Sequence, residues 1–249
     1  MDVKTFSTEW AGRTLTIETG RMAFQADAAC TVRYGDTVVM ATVVMSKEQR
    51  GMPFFPLMVE FEEKYSAAGK IKGSRFMKKE GRPSDQAVLS ARMIDRGIRP
   101  LFDNSIRNDI QVIASVLSFD EENDPDVLGI IASACVLNMS QIPWNGPIAG
   151  VRVGRVNDEF VVNPTYVQRE ESSIDVVVSG TTERVLMLEA DGNQTEDSVM
   201  ADAIEHGLTS MAPIMDLLKE VRDAVGSEKV TVESLVGMSD EDLATKAKV

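Results

Sequence analysis

"RTLTIETGRMAFQADAACTVRYGDTVVMATVVMS", residues 13–46, is a succession of threonine-, valine- and isoleucine-rich runs broken by glycine. Such residues suit a pleated, half-buried surface, and Gly12, Gly20 and Gly35-Asp36 punctuate them as turns. The stretch Thr37 to Met45 is almost wholly apolar, which predicts a strand buried on both faces. Further strands are expected in "DIQVIASVLSFD" (109–120), "IDVVVSG" (174–180) and "RVLMLEAD" (184–191). "PIAGVRVGRVNDEFVVNP" (147–164) reads as a hairpin turning at Asn157-Asp158.

Helical signals come later in the chain. Ser84 is placed to cap a helix, with Asp85 favourable to its dipole, apolar Ala87, Val88, Ala91 and Ile94 at helical spacing, and Gly97 and Pro100 at its end. Arg92 and Arg96 lie one turn apart and Arg99 follows, so the three can point into one region, with an Asp95–Arg99 pair as the plainer account. "DPDVLGIIASACVLNM" (124–139) predicts a buried helix, and Thr195 to Val225 a single long amphipathic one. Strands in front and helices after strand pairs give an α+β class without the alternation of a doubly wound sheet. Beyond Gly226 the composition turns polar, so a boundary is expected there, with residues 227–249 opening a second unit.

The chain has 249 residues, 43% hydrophobic and 26% charged, and a formal charge of -13. A core of ordinary size is within reach without disulfides or metals. No apolar run approaches the length of a membrane span, and the start lacks the basic-then-apolar layout of a signal peptide, so a cytoplasmic protein is expected. Cys30 and Cys135 sit in apolar surroundings and read as buried free thiols. A single histidine, His206, makes a cysteine–histidine metal or nucleophile site untenable, and it reads as a surface or half-buried residue.

The charge is unevenly spread. Lys64 to Arg99 holds ten of the 26 basic residues and only three acidic ones, a window of +7, while the other 213 residues carry -20. Such an asymmetry attracts a polyanion to one place. "GKIKGS" (69–74) lacks the order of a phosphate-cradling P-loop. A glycine-bounded loop with Lys70, Lys72, Arg75, Lys78, Lys79 and Arg82 suits a phosphodiester backbone, and Phe76 offers a stacking face. A merely solvated loop is the competing reading. The carboxylates of Asp120 to Asp126 match no defined metal spacing and read as a solvated acidic turn.

Three runs carry a family resemblance: "GRTLTIETGRMAFQADAACTVRYGDTVVMATVV" (12–44), "FFPLMVEFEEKYSAAGKIKGSRFMKKEGRPSDQAVLSARMIDRGIRPLF" (54–102) and "IPWNGPIAGVRVGRVNDEFVVNPT" (142–165). Together they resemble the first core of bacterial polynucleotide phosphorylase. The resemblance implies a ribonuclease-PH-like core (ribosomal protein S5 domain 2-like) over residues 1–226 and the beginning of an all-helical linker over 227–249. It implies, for the full-length protein, a phosphate-dependent 3′-to-5′ exoribonuclease that uses magnesium and inorganic phosphate, forms a homotrimeric ring and meets RNA-degradation partners in the cytoplasm. In that family the reactive site belongs to the second core. Its serine-rich phosphate loop aligns with Asp124-Pro125-Asp126, and its Asp-x5-Asp-x-Lys motif with Arg169, Asp175 and Val177. Its paired arginines align with Asp85-Gln86, and its histidine with Ser90. This chain alone is therefore expected to be catalytically silent and to bind neither magnesium nor phosphate.

The family's channel aromatics and arginines align with Phe76, Met77, Lys78 and Lys79. Single-stranded RNA is thus expected to contact Arg75, Phe76, Lys78, Lys79 and Arg82, with Arg92, Arg96 and Arg99 lining the approach or bracing a neighbouring subunit. Lysine keeps the charge but loses bidentate phosphate recognition. Two other readings stay open: a non-catalytic oligomerisation module, and an independently active ribonuclease PH relative.

Overall fold

The computed structural model describes residues 2–49, 53–71, 73 and 81–230. The first sheet is built by β1 (Lys4–Trp10), β2 (Arg13–Thr19), β3 (Ala28–Tyr34), β4 (Thr37–Gln49), β5 (Leu57–Glu62) and β6 (Asn108–Ser118). Its order is β1-β2-β3-β4-β6-β5, antiparallel throughout except that β5 runs parallel to β6. The second sheet, ordered β10-β9-β7-β8, is antiparallel and contains β7 (Ala149–Val156), β8 (Glu159–Val162), β9 (Ile174–Gly180) and β10 (Val185–Gly192). The turn at Asn157-Asp158 has two positive φ angles, 51° and 65°, the geometry that matches the twist of a tight hairpin.

Between the sheets lie α1 (Asp85–Ile98) and α2 (Pro125–Met139). Ser84 caps α1 as expected, accepting from the Ala87 N–H at 3.0 Å. Helix α2 is apolar on every side, and all of its residues from Asp126 to Met139 are buried, as a helix through the middle of a core must be. It packs on β3, β4, β6 and β7, so it welds the two sheets together. Where β7 crosses α2, a Cβ on Gly150 would lie 2.9 Å from Ile130, which makes glycine a condition of that close approach.

Three expectations need correction. Strand β4 is not buried on both faces: Val39, Ala41 and Val43 face the core, while Val38, Met40 and Thr42 are half-buried and Val44 is 44% exposed. The sheet presents only one side to α2, so alternate residues look outward despite their apolar character. The single helix expected from Thr195 to Val225 is two, α4 (Asp197–Ser210) and α5 (Ala212–Val225). Pro213 cannot donate to the preceding turn and instead sits at the start of α5. Met211 between them is fully buried, and the Ser210 carbonyl accepts from Trp10 Nε1 at 2.9 Å, which ties the break to β1. The correction for the acidic turn is given with the site below.

Cys30 and Cys135 are buried free thiols, and His206 is exposed against the Phe160 ring. Burial and the neighbouring Cys135 side chain push the Cys30 thiol well up, the neighbour contributing most. Residues 227–230 stay docked on the C-terminal end of α2. Ser227 N–H donates to Met139 O and Val230 N–H to Gln141 O, each at 2.8 Å. Lys229 Nζ donates to Leu137 O at 2.6 Å and Ser140 O at 2.9 Å. From residue 231 the expected linker lies outside the described residues. Among the described residues no helix is long and apolar enough to cross a membrane.

Candidate functional site

Of the eight residues expected to meet RNA, Arg75, Phe76, Lys78 and Lys79 lie outside the described residues. Arg82, Arg92, Arg96 and Arg99 can be placed, and Arg96 and Arg99 turn to opposite sides of α1. Helix α1 lies against β5 on one side and β10 on the other, and its arginines divide between them. Arg96 donates to Leu188 O at 3.0 Å and pairs with Glu189 at 3.5 Å. Arg99 pairs with Asp95 at 2.7 Å, donates to Leu57 O at 3.1 Å and sits 5.8 Å from the Phe55 ring centroid. The i,i+4 carboxylate and nearby carbonyls hold these two guanidinium groups in place, while both side chains stay partly exposed. Lys64 is likewise held by Glu62 at 2.7 Å. Arg82 and Arg92 are exposed, with no ion-pair partner among the described residues.

The acidic segment before α2 is not a solvated turn. Burial pushes the Asp120 carboxyl up, but N–H groups of Asn123 and Glu122 and the side chains of Asn123 and Thr37 outweigh it and hold it well below the usual range. Asp124 and Asp126 point inward, 13% and 4% exposed at the side chain, and meet two arginines from distant parts of the chain. Arg152 of β7 reaches Asp126 at 2.6 Å, Asp175 at 2.5 Å and Asp124 at 3.3 Å. Arg169, on α3 (Tyr166–Glu171), reaches Asp124 at 2.5 Å and Asp175 at 2.8 Å.

Three carboxylates therefore share two guanidinium groups. Burial, and next the charge of Asp124, raise the Asp126 carboxyl to about 7 against the opposing pull of Arg152. The Tyr166 hydroxyl is raised by burial and then by Asp124 and Asp126. Arg169 and Asp175 were visible to sequence alignment; Arg152 was not singled out. Its signal was an arginine in "AGVRVGRV", where the neighbouring small and apolar residues place the strand in the interior.

Beside this cage is a cavity of about 410 Å³. Gln86 and Ser90 of α1, Asp124 at the N-cap of α2 and Asp126 in its first turn, and Tyr166 and Arg169 of α3 contribute to its walls. Phe61, Val116 and Phe119 add apolar surface. The positions aligned with the second core's phosphate loop, arginine pair, histidine and metal motif thus meet in one place, with Asp175 bonded behind Arg169. Val177, buried in β9, and Asp85, of which only the neighbour Gln86 reaches the cavity wall, are the exceptions.

The donor set does not fit magnesium or phosphate. The carboxylates are already saturated by guanidinium groups, and a phosphate would face Asp124 and Asp126. Among the described residues no group of three or more metal-ligating side chains is arranged to hold an ion.

A model described as "3′ exoribonuclease family, domain 1" matches residues 11–143, and one for domain 2 of the same family matches 146–210. The division falls between the two sheets. The polyribonucleotide nucleotidyltransferase of Exiguobacterium sibiricum is 48% identical over 98% of this chain and 33% of its own length. Those of Bacillus subtilis (45% identical, 98% of this chain, 34% of the relative) and Heliobacterium modesticaldum (49%, 91% and 32%) are similar in the same way. The chain spans about a third of the length of these relatives. The crystal structure of rice (Oryza sativa) Rrp46 matches with a TM-score of 0.65 at 14% identity, covering 88% of this chain and 93% of that one, a likeness of fold alone.

Proposed function

Given that this chain belongs to the 3′ exoribonuclease family, with its two domain models matching residues 11–143 and 146–210, we propose that it is the RNA-guiding core of a phosphate-dependent 3′-to-5′ exoribonuclease. The whole protein would act as a polyribonucleotide nucleotidyltransferase in cytoplasmic RNA degradation, using magnesium and inorganic phosphate, as a homotrimer open to RNA-degradation partners. The core in hand guides single-stranded RNA and does not itself cleave it.

The observation that carries the silent-core reading is the closed cage of Asp124, Asp126, Asp175, Arg152 and Arg169. Phosphoryl transfer requires cationic or metal charge free to meet the developing negative charge. Here both guanidinium groups are consumed internally. Incubating the chain with poly(A), phosphate and magnesium is expected to release no nucleoside diphosphate. Steady release, abolished by changing the cage, would establish an independently active ribonuclease PH relative instead.

The guiding role rests on the cationic window, with Arg75, Phe76, Lys78, Lys79, Arg82 and Arg92, which has no ion-pair partner among the described residues, as its contacts. One observation favours a parallel role in oligomerisation. Val88 and Leu89 of α1 are 47% and 56% exposed beside Arg92, an apolar strip with a cationic edge. Light scattering across a salt series, beside an RNA titration, separates the two roles.

A further inference from the structure

The cavity beside the cage has a composition that its charged rim conceals. None of its charged residues is free. Asp124, Asp126 and Arg169 are committed to the cage, Glu63 accepts from the Ser84 hydroxyl at 2.6 Å, and Lys64 pairs with Glu62. Apart from the exposed Glu63 carboxylate at the rim, the hydrogen-bonding capacity left for a visitor is neutral. Ser90 is only 2% exposed, lines the cavity, and its hydroxyl has no hydrogen-bond partner among the described residues. The hydroxyl is not sealed in the core but borders the cavity, where it is open to water or a ligand. Gln86, one turn earlier on the same face of α1, likewise brings a carboxamide with no partner among the described residues.

The rest of the lining is aromatic and small. Phe119 meets Tyr166 edge to face at 5.9 Å, Phe61 supplies another ring, and Ala67 and Ala68 leave room beside them. The volume of about 410 Å³ falls within the range of small-molecule sites. A flat, uncharged molecule with donors and acceptors along its edge satisfies both halves of this lining. An anion meets Asp124 and Asp126, and a cation finds those two carboxylates already paired with guanidinium groups, with only the exposed Glu63 at the rim carrying no ion pair among the described residues.

We propose that this cavity binds a nucleobase, which lies against the aromatic walls and is held at its edge by Ser90 and Gln86. The base can come from a free nucleoside or from an unpaired RNA strand, and only the second source rests on the RNA reading above.

The test is a calorimetric titration of the chain with adenosine and uridine, repeated with AMP, with inorganic phosphate and with oligoadenylate. Nucleosides are expected to bind saturably and AMP more weakly than adenosine. Ser90→Ala with Gln86→Ala is expected to weaken adenosine binding about tenfold, as for two neutral hydrogen bonds. Gln86 is exposed, so Gln86→Ala alone, expected to weaken binding about threefold, serves if the double variant loses its cooperative melting transition.

Adenosine displaced by oligoadenylate identifies the strand as a source. Adenosine that stays bound identifies the free nucleoside. No saturable binding at millimolar nucleoside, unchanged affinity in the variants, or displacement by an equal concentration of inorganic phosphate overturns the proposal. Lys78→Ala with Lys79→Ala separates the two readings: RNA affinity lost with no nucleoside site leaves RNA guidance standing and ends the base site. Nucleoside binding with RNA affinity unmoved by the lysine changes does the reverse.

Discussion

The guanidinium of Arg152 lies 2.6 Å from the Asp126 carboxylate, and the two side chains are 8% and 4% exposed. A pair so deeply placed is costly to break, because removing one member strands the other without water. Arg152→Met leaves Asp126 without its ion-pair partner, while Asp124 keeps Arg169. It is expected to lower unfolding free energy by about 3–5 kcal/mol, read from urea denaturation. Stability within about 0.5 kcal/mol of the parent would show that the cage is not what secures β7 to α2.

The same pair sets a pH response. The Asp126 carboxyl is raised to about 7 in the folded chain, above its unfolded value, so the folded state holds more protons between those limits. The stability tied to this proton is complete below the unfolded value, about 4, and is lost as pH rises through about 7. Asp120 behaves oppositely. Its depressed carboxyl contributes above about pH 4 and loses that contribution as acid is added. Melting temperatures are therefore expected to fall from about pH 5 to about pH 7, and Asp126→Asn to flatten that slope. An equal slope in both chains would remove Asp126 from the account.

Gly150 tests the seam between the sheets. Gly150→Ala brings a methyl within 2.9 Å of Ile130, and overpacking of this kind costs about 1–3 kcal/mol. Adding Ile130→Val is expected to recover part of the loss, a coupling measurable in a double-mutant cycle.

The arginines of α1 should separate by phenotype. Arg99→Ala removes the contacts to Asp95, Leu57 and the Phe55 ring and is expected to cost about 1 kcal/mol of stability. Arg92→Ala is expected to leave stability unchanged and to lower RNA affinity at low salt. Equal effects of the two on RNA binding would return Arg99 to the RNA lane.

In the loop, Lys78→Ala with Lys79→Ala is expected to weaken single-stranded RNA binding across sequences. The salt dependence should flatten by roughly 0.7 per lysine. RNA affinity that is unmoved at low salt counts against guidance by this loop.

Local chemistry made much of this fold legible. Ser84 announces a cap, Asn157-Asp158 a tight turn, and the apolar run from Val127 to Leu137, interrupted only by Ser133, a central helix. Strand β4 was misread because apolar Val38, Met40 and Val44 carry no mark saying which sheet face is left uncovered. The break at Met211 was missed because a helix can begin with Pro213 as easily as end before it, and the burial of Met211 decides the matter. The acidic turn deceived for a different reason. Its neutralising arginines stand 26 and 45 residues away from their partners, and periodicity does not report such distances. The alignment placed Gln86, Ser90, Asp124 and Arg169 at related positions, but only the fold shows them around one cavity.

Helix α2 holds the cage at its first turn, and its last carbonyls grip Ser227, Lys229 and Arg222. Its fifteen residues make a rod about 22 Å long, clamped in packed side chains for its whole length. The cage and the residues that follow the last helix are thus anchored to opposite ends of one buried rod.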